Sequence, residues 1–326
     1  MANYTDPYQA VLDYVVPKLQ YNAYHDKENT LILWLNQNCK KAVGSFGEYI
    51  RIPLQYGHTD DSTDVAKNPF ATFNTTEVID QDALKFKASG FVKPMTVSNW
   101  KTEVLVGNDK NRVYDYVLGK TKTMMYSATR ILSDRLFGDG GAVATDTIGL
   151  RYHLDQSDTS YGGLTRSSAN TYGLWPNEDT STTIITWGAL ENAYMDSHAA
   201  TDVIITTKDI YGFIWALRQA QERYEPGSGK AKVFEEVGAP YINFNGIPIV
   251  WDERCPANHI FGLSKGNPNK GEQYIYFLVH KTWNLGVEKV VDKTKDQEVT
   301  VFRSKWAGQL CFSRCDTQFA FTAIEK

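Results

Sequence analysis

Two stretches of the sequence contain residue types that can hold phosphates or cations, but neither completes a known motif. The stretch GKT at 119–121 resembles the end of a phosphate-binding P-loop, whose backbone amides and lysine hold the phosphates. Tyr114 occupies the position at which that loop needs its first glycine, and the stretch lies inside a predicted helix. Asp60, Asp61 and Asp64 could coordinate a cation, although a solvated loop explains them more simply. The sequence therefore predicts neither a nucleotide site nor a cation site here.

The cysteines and histidines do not have the spacing of metal ligands. The chain has four cysteines and six histidines, with no C-x-x-C pair and no H-E-x-x-H. Cys311 and Cys315 lie in a strand-like stretch, where residues four apart are separated by about 13 Å, too far to share one metal. Buried, reduced thiols are the simpler interpretation. G-x-G-x-x-G does not occur either, and the sequence predicts no catalytic, cofactor-binding or metal-binding residue, and no cofactor.

Composition is that of a globular protein. The 326 residues are 42% hydrophobic and 22% charged, with a net charge of −4. Tight binding of nucleic acid needs clustered Lys and Arg, and the longest basic run is the pair Lys40–Lys41. No apolar run approaches the roughly 18 residues of a membrane span, and the first residues lack the order of a signal peptide. We expect a soluble protein made inside a cell, with no membrane partner, which encloses nucleic acid without gripping it if it meets a genome.

A long two-stranded arm is predicted early in the chain. In EYIRIPLQYG, Glu48 to Gly57, the apolar even-numbered residues alternate with the odd-numbered ones, which is the period of a half-buried strand. An apparent partner strand, LKFKASGFVKP, runs from Leu84 to Pro94. The polar segment 58–83 between them has no strong period and exceeds the usual loop length of about 15 residues. The pair therefore predicts an arm whose tip has no core of its own.

The strongest helical pattern runs from Lys110 to Phe137. Its apolar residues are spaced as on one face of a helix, and the glycine-rich stretch 138–141 ends it. Asp109 is the predicted N-cap. Such a helix is about 42 Å long, so we expect other elements to pack along it.

The remaining elements indicate an α+β fold. The first forty residues resemble a helical arm with one apolar face. After a loop-rich stretch come a helix, the buried strand Asp202 to Thr207, a second helix, and a hairpin that turns at Asn245-Gly246. Strand patterns return from about Tyr274.

A two-stranded arm is marginal in water by itself. A second copy of the same chain can cover it, and repeated head-to-tail contacts around a rotation axis close into rings. The sequence therefore predicts an assembly subunit. The predicted interface residues lie in or beside the arm: Tyr49, Ile50, Arg51, Ile52, Leu54, Leu84, Phe86 and Phe91.

Several motifs, in this order, resemble the major capsid proteins of tailed bacteriophages with the Hong Kong 97 type fold. The stretch from Tyr161 to Ser167 is similar to the family's Gly-Gly-x-x-Arg segment, and LWPN at 174–177 to the Trp/Asn that follows, apart from Pro176. Ile205 to Tyr224 resembles its strand-then-helix ending in Arg-Tyr. FNGIPIVWDERCP, from Phe244 to Pro256, looks like its Gly-x-Pro-aliphatic-x-x-Asp segment. The resemblance covers almost the whole chain.

The resemblance implies an α+β, Hong Kong 97-like capsid fold in four parts. These are an N-terminal arm (1–45), an extended β-hairpin loop (46–95), a peripheral domain with a long spine helix (96–144 and 276–326) and an axial domain (145–275). It also implies hexamers and pentamers of an icosahedral shell that encloses double-stranded DNA without sequence-specific binding. The shell would be assembled in the host cytoplasm and become the virion.

The resemblance also implies partners. Some relatives carry a cleavable N-terminal scaffold, for which this sequence has no room before its helical arm, so we expect a separate scaffolding protein and a portal. Lys67, Lys85 and Lys87 lie in or near the arm, but nothing marks them for the covalent cross-links of some relatives. Two alternatives stay open. An encapsulin-type compartment would share the fold, and a carbohydrate-active enzyme, a more remote alternative, would need two carboxylates at a defined separation.

Overall fold

The computed structural model describes most of the chain, in thirteen ranges. These are residues 7–47, 49–55, 81–98, 100–101, 110–140, 147–157, 160–166, 173–180, 183–197, 200–219, 232–266, 272–290 and 299–325. The predicted cation candidates Asp60, Asp61 and Asp64, the segment 58–80 and the predicted N-cap Asp109 lie outside them.

Helices and strands occur in mixed order. The helices are α1 (Pro7–Ala10), α2 (Val16–Tyr24), α3 (Thr30–Asn38), α4 (Lys110–Phe137), α5 (Leu150–Leu154), α6 (Trp187–Asp196), α7 (Lys208–Gln219) and α8 (Lys232–Val237). The strands are β1 (Lys40–Val43), β2 (Ile50–Gln55), β3 (Gln81–Phe86), β4 (Ser89–Ser98), β5 (Ser160–Tyr161), β6 (Leu164–Thr165), β7 (Asn177–Asp179), β8 (Thr183–Ile184), β9 (Val203–Thr206), β10 (Ile242–Phe244), β11 (Ile247–Trp251), β12 (Ile260–Leu263), β13 (Ile275–Val290), β14 (Val299–Phe312), β15 (Phe319–Phe321) and β16 (Ile324–Glu325). The predicted α+β class is confirmed.

The long helix α4 forms over the predicted residues. Its buried face follows the apolar spacing of the sequence, including Val113, Val117, Leu132 and Leu136. Its first half packs in a cluster with Met95 of β4 and with Val11, Val97 and Phe302. Helix α4 therefore supports both the N-terminal helices and a sheet.

That sheet has four strands in the order β1-β13-β14-β4. Strands β13 and β14 form a long antiparallel hairpin, and β4 pairs antiparallel with β14 over ten residues. Two register shifts occur in β13, between Val279 and Asn284 and between Asn284 and Gly286. Beside them, the Tyr24 hydroxyl donates to the Asn284 side chain, so the irregular stretch holds helix α2.

A six-stranded sheet, in the order β10-β11-β9-β12-β15-β7, forms the second layer. Its apolar face packs with residues of α6 and α7, among them Leu190, Ile210 and Ile214. The predicted hairpin turn is confirmed: Asn245 and Gly246 both have positive φ, as a two-residue type I′ turn requires.

The C-terminal strands cross the division expected at residue 276. Strand β15 pairs with β12 and with β7, and β16 pairs with β8, so the chain's end completes the sheet of the predicted axial part. These strands are short, and their buried residues, such as Phe319 and Phe321, carry no marker of which sheet they join. Pairing between distant segments decided the placement.

The N-terminal segment is more deeply packed than an arm needs to be. Pro17 follows a π-helical turn, Val11–Val15, and stands in the first turn of α2, where a proline without an N–H is tolerated. Leu31 to Leu35 of helix α3 are almost completely buried in the main core. Helix α3 therefore packs within the chain's own core.

Candidate assembly surfaces and the groups that position them

The predicted arm is a two-stranded ribbon of β2 and β3, in which Ile50 pairs with Phe86 and Ile52 with Leu84. Its second strand is shorter than the sequence suggested. The stretch Leu84 to Pro94 is not one strand, because it divides after Phe86 and its second half belongs to β4. The division coincides with a change of phase: buried residues are even-numbered in β3 and odd-numbered in β4, such as Met95 and Val97.

The chain's own core covers the apolar face of the ribbon. The predicted interface residues Ile50, Ile52, Leu54, Leu84 and Phe86 are each between 0% and 6% exposed. They belong to the main core cluster, so no second copy is needed to bury them. This corrects the sequence-based argument that a neighbour must supply the missing core.

The other predicted interface residues lie in different places. Tyr49 is 40% exposed and Arg51 is exposed, on the solvent side of the ribbon. Phe91 is on β4, where its ring stacks on Trp306 at 5.8 Å and the Arg135 guanidinium lies 5.3 Å from its centre. We define the outer ribbon face as the solvent-side residues Tyr49, Arg51, Pro53, Lys85 and Lys87.

A glycine turn anchors the ribbon to the rest of the chain. Strands β5 and β6 form a small hairpin whose two turn residues, Gly162 and Gly163, have φ of +57° and +88°. The Lys85 N–H donates to the Gly162 carbonyl at 2.9 Å. A Cβ on Gly162 would lie 2.8 Å from Leu84 Cδ2, whereas one on Gly163 would meet nothing within 4 Å. The close approach of the ribbon therefore requires a residue without a side chain at position 162 but not at position 163.

Arg166, the arginine of the Gly-Gly-x-x-Arg stretch, closes the end of helix α5. It is 2% exposed, and its guanidinium donates to the backbone carbonyls of His153, at 2.6 Å, and Asp155. These carbonyls belong to the last turn and C-cap of α5, where the helix dipole favours a cation. The guanidinium also lies over the Tyr161 ring, 4.5 Å from its centre. The positive charge is therefore balanced by carbonyl dipoles and a π-face.

His153 and Tyr161 extend this network to strand β14. His153 Nδ1 is 2.6 Å from the Tyr161 hydroxyl, and its Nε2 is 3.1 Å from the Leu310 carbonyl. The Tyr161 hydroxyl also lies 3.1 Å from the Phe312 carbonyl. Because a neutral imidazole has one N–H and a carbonyl can only accept, Nε2 donates to Leu310 and the Tyr161 hydroxyl donates to Nδ1. Burial, with the nearby Arg166 charge, lowers the pKa of His153 to about 3, and burial raises the pKa of Tyr161. Both groups are neutral at pH 7. These two side chains connect α5, the glycine turn and the C-terminal strands. No motif in the sequence indicated the role of His153.

Asp252, the acidic residue of the Gly-x-Pro-aliphatic-x-x-Asp segment, accepts a hydrogen bond at the start of helix α3, 221 residues away in the sequence. Its carboxylate accepts from the Leu31 N–H at 2.9 Å and from the Arg254 N–H at 2.9 Å. Burial raises the pKa of Asp252 to about 6, against the two N–H donors that lower it. The aspartate therefore joins the N-terminal segment to the six-stranded sheet.

Cysteine chemistry and metal binding have no geometric support within the described ranges. All four cysteines are buried and free, as the sequence indicated. Burial raises the pKa of Cys311 and Cys255, so neither thiol is activated. Among the described residues, no three His, Cys, Asp or Glu side chains are grouped to hold a metal ion. No helix in these ranges is long and apolar enough to cross a membrane.

Comparisons with known proteins give structural likeness only. No protein-family model matches the chain, and no curated protein sequence matches it either. The capsid asymmetric unit of cyanophage A-1(L) is similar, with a TM-score of 0.62 and 15% identity over 93% of this chain and 94% of that one. The holo-SrpI encapsulin complex from Synechococcus elongatus PCC 7942 gives 0.58 and 10% identity over 90% and 88%. The capsid of an empty GTA particle gives 0.54 and 13% identity over 88% and 94%.

The shared architecture extends over about nine tenths of each chain compared. The fold is therefore the Hong Kong 97 type capsid fold, the α+β fold that the sequence resemblance implied.

Proposed function

We propose that this chain is the major capsid protein of a tailed bacteriophage. It would assemble into hexamers and pentamers of an icosahedral shell that encloses the double-stranded DNA genome. The observation that carries the proposal is the fold, which the capsid asymmetric unit of cyanophage A-1(L) shares over 93% of this chain. The order of sequence motifs from Tyr161 to Pro256 supports the same family independently of the coordinates.

In this proposal the outer ribbon face makes the contact with a neighbouring subunit. The inner face is anchored to the chain's own core, so the ribbon is already formed before it meets a partner. Strands that are already formed lose less conformational entropy on binding. Tyr49 and Arg51, of the residues first predicted, remain the interface candidates on β2, and Lys85 and Lys87 join them across the ribbon.

The proposal includes a separate scaffolding protein, a portal and a place in the virion after assembly in the host cytoplasm. It includes no enzymatic activity. Its support is the likeness to shell-forming proteins.

The test is electron microscopy of the expressed protein, alone and with a candidate scaffolding protein, combined with mass from light scattering. Shells, capsomers or curved sheets are the expected result. A particle of 36.8 kDa under every assembly condition would contradict the proposal, because that is the mass of one chain.

An encapsulin-type compartment is the second candidate, because the SrpI encapsulin complex has the same fold at a TM-score of 0.58. The contents of the particles distinguish the two. Particles from the native source that hold double-stranded DNA support the capsid, whereas particles that hold a single cargo enzyme and no DNA support the compartment.

A further inference from the structure

Helix α4 concentrates positive charge in a chain that is negative overall. Its 28 residues include six basic side chains and two acidic ones, an excess of four positive charges, while the whole chain has a net charge of −4. The basic residues are Lys110, Arg112, Lys120, Lys122, Arg130 and Arg135, and the acidic ones are Asp115 and Asp134. Negative charge is therefore concentrated elsewhere in the chain.

Three of these cations are exposed and form no ion pair within the described ranges, although Asp134 lies one helical turn beyond Arg130. Asp134 is engaged by Arg254 at 3.7 Å, and Arg135 lies against Phe91. Lys120, Lys122 and Arg130 are exposed, and no carboxylate in the described ranges forms an ion pair with them. A partner that carries negative charge would gain attraction here without first breaking an ion pair within these ranges.

An exposed tyrosine, Tyr126, lies between two of these cations on the surface of α4. Lys122, Tyr126 and Arg130 are four residues apart along one side of α4, so they form a stripe about 12 Å long. Tyr126 is 56% exposed, and its hydroxyl can donate to a phosphate oxygen. The stripe offers no Asn or Gln, the residues that pair with adenine edges, so it is suited to the DNA backbone and not to base recognition.

A recess beside the stripe adds a fourth cation. It has a volume of about 400 Å³ between α2 and α4, and Lys27, Lys122 and Tyr126 are among its lining residues. Its apolar lining includes Leu19 and Met125. Lys27 is exposed in the loop after α2, beside the carboxylate of Asp26, which lines the recess too.

The helices α7 and α8 carry exposed side chains of both signs. Asp209 stands beside Lys208 on α7, and Glu236 pairs with Lys232 on α8 at 4.0 Å. The positive excess of α4 is therefore not repeated on these helices.

We propose that the basic stripe of α4 (Lys122, Tyr126 and Arg130), together with Lys120 of the same helix and Lys27 of the loop after α2, faces the enclosed DNA and contacts its phosphate backbone without reading bases. This inference rests on the proposed function. Few phosphates are contacted by each subunit, so binding is weak and sensitive to salt, and many subunits act together. The side of the subunit that carries the stripe therefore faces the interior of the shell.

The test uses unassembled protein and a fluorescent duplex of about 30 base pairs, with anisotropy measured between 50 and 200 mM KCl. The variant combines Lys120→Glu, Lys122→Glu and Arg130→Glu. The control combines Lys208→Glu, Lys232→Glu and Lys281→Glu, which change the net charge equally at exposed positions outside α4. If three phosphates are contacted, wild-type affinity falls about 40-fold over this salt range. We expect the variant to lose this salt dependence and at least tenfold in affinity at 50 mM KCl, and the control to keep both.

Three results would overturn the inference. The first is equal duplex affinity in the variant and the control, and the second is no binding of the duplex by the wild-type protein at 50 mM KCl. The third is that polyglutamate of similar charge binds the stripe more tightly than the duplex and displaces it, since the surface would then fit an acidic protein. Shell formation is followed separately by electron microscopy. A wild-type protein that forms no shells contradicts the proposed function, whereas failure to bind the duplex contradicts this inference alone.

Discussion

Single buried polar residues join segments that are far apart in this chain. Arg166 closes helix α5, His153 connects α5 to β14, and Asp252 begins helix α3. Each side chain is at most 2% exposed and forms hydrogen bonds with backbone groups, which offset part of the cost of desolvation. Removal of one such side chain leaves several partners unpaired at once.

At this scale we predict that Arg166→Ala lowers the free energy of unfolding by about 3 to 5 kcal/mol, because the carbonyls at the end of α5 lose their donor and a buried volume is emptied. Arg166→Lys retains the charge but not the planar group that reaches two carbonyls at once. Its free energy of unfolding should therefore lie between those of the wild type and Arg166→Ala. Arg151→Ala is the control: Arg151 is exposed on the same helix and should change stability by less than about 0.5 kcal/mol. Urea denaturation of unassembled protein measures all three, and equal effects at positions 151 and 166 would refute the capping role.

Asp252 gives a prediction that depends on pH. Its pKa rises from 3.8 to about 6 on folding, so the stability it contributes is fully present below about pH 4 and is lost as pH rises through 6. Between pH 4 and pH 7 the cost is on the order of 3 kcal/mol. Asp252→Asn cannot ionise and should lack this part of the pH dependence. The difference in unfolding free energy between the two proteins should therefore shrink or reverse from pH 4 to pH 7, and a constant difference would show that the carboxyl keeps an ordinary pKa.

At the scale of elements, local patterns predicted those elements whose periodicity is regular over their length. The bounds of α4 and the turn at Asn245-Gly246 agree with the structure because helix period and turn chemistry are local properties. The break between β3 and β4 shows in the sequence as a change of phase between Phe86 and Phe91. The prediction of a single strand from Leu84 to Pro94 did not account for that change.

Long-range pairing is the part that the sequence did not specify. Strand β15 enters the six-stranded sheet, and α3 enters the core under Asp252, because of partners more than one hundred residues away. The motif residues Arg166 and Asp252 were identified by resemblance, whereas their contacts with α5 and α3 required the coordinates. The interface residues on the inner ribbon face were misplaced for the same reason, since the surface that covers them is built from distant segments.

The glycine turn gives an element-scale prediction with a control at the adjacent position. Gly162→Ala and Gly163→Ala both place a side chain at positive φ, but only the first meets Leu84, at 2.8 Å. We expect Gly163→Ala to cost about 1 kcal/mol for the backbone alone and Gly162→Ala about 2 to 4 kcal/mol. Hydrogen exchange should show that only Gly162→Ala loosens the ribbon strands Ile50–Gln55 and Gln81–Phe86. Equal loosening in both variants would mean that the turn does not anchor the ribbon through close packing.

At the scale of the whole molecule, the charges divide the surface into parts suited to different neighbours. The outer ribbon face is basic, because Arg51, Lys85 and Lys87 are exposed and none of the residues that define the face is acidic. Arg51 and Lys85 stand directly opposite each other on the ribbon, an arrangement that is destabilising by itself. A neighbouring subunit that supplies carboxylates would relieve this repulsion, which favours head-to-tail assembly.

We therefore predict that reversing the charge of both residues, with Arg51→Glu and Lys85→Glu, prevents shell formation. Unfolding of the unassembled protein should change little, because both side chains are exposed and the like-charge pair is only exchanged for another. The matched control is Lys18→Glu with Lys281→Glu, which alters net charge equally away from the ribbon. Light scattering at increasing protein concentration, followed by electron microscopy, measures the threshold for assembly. We expect the threshold to rise at least tenfold in the ribbon variant and to stay near the wild-type value in the control. Shells from the ribbon variant at the wild-type threshold would place the subunit contact elsewhere, because an interface that depends on these two cations cannot tolerate two carboxylates in their place.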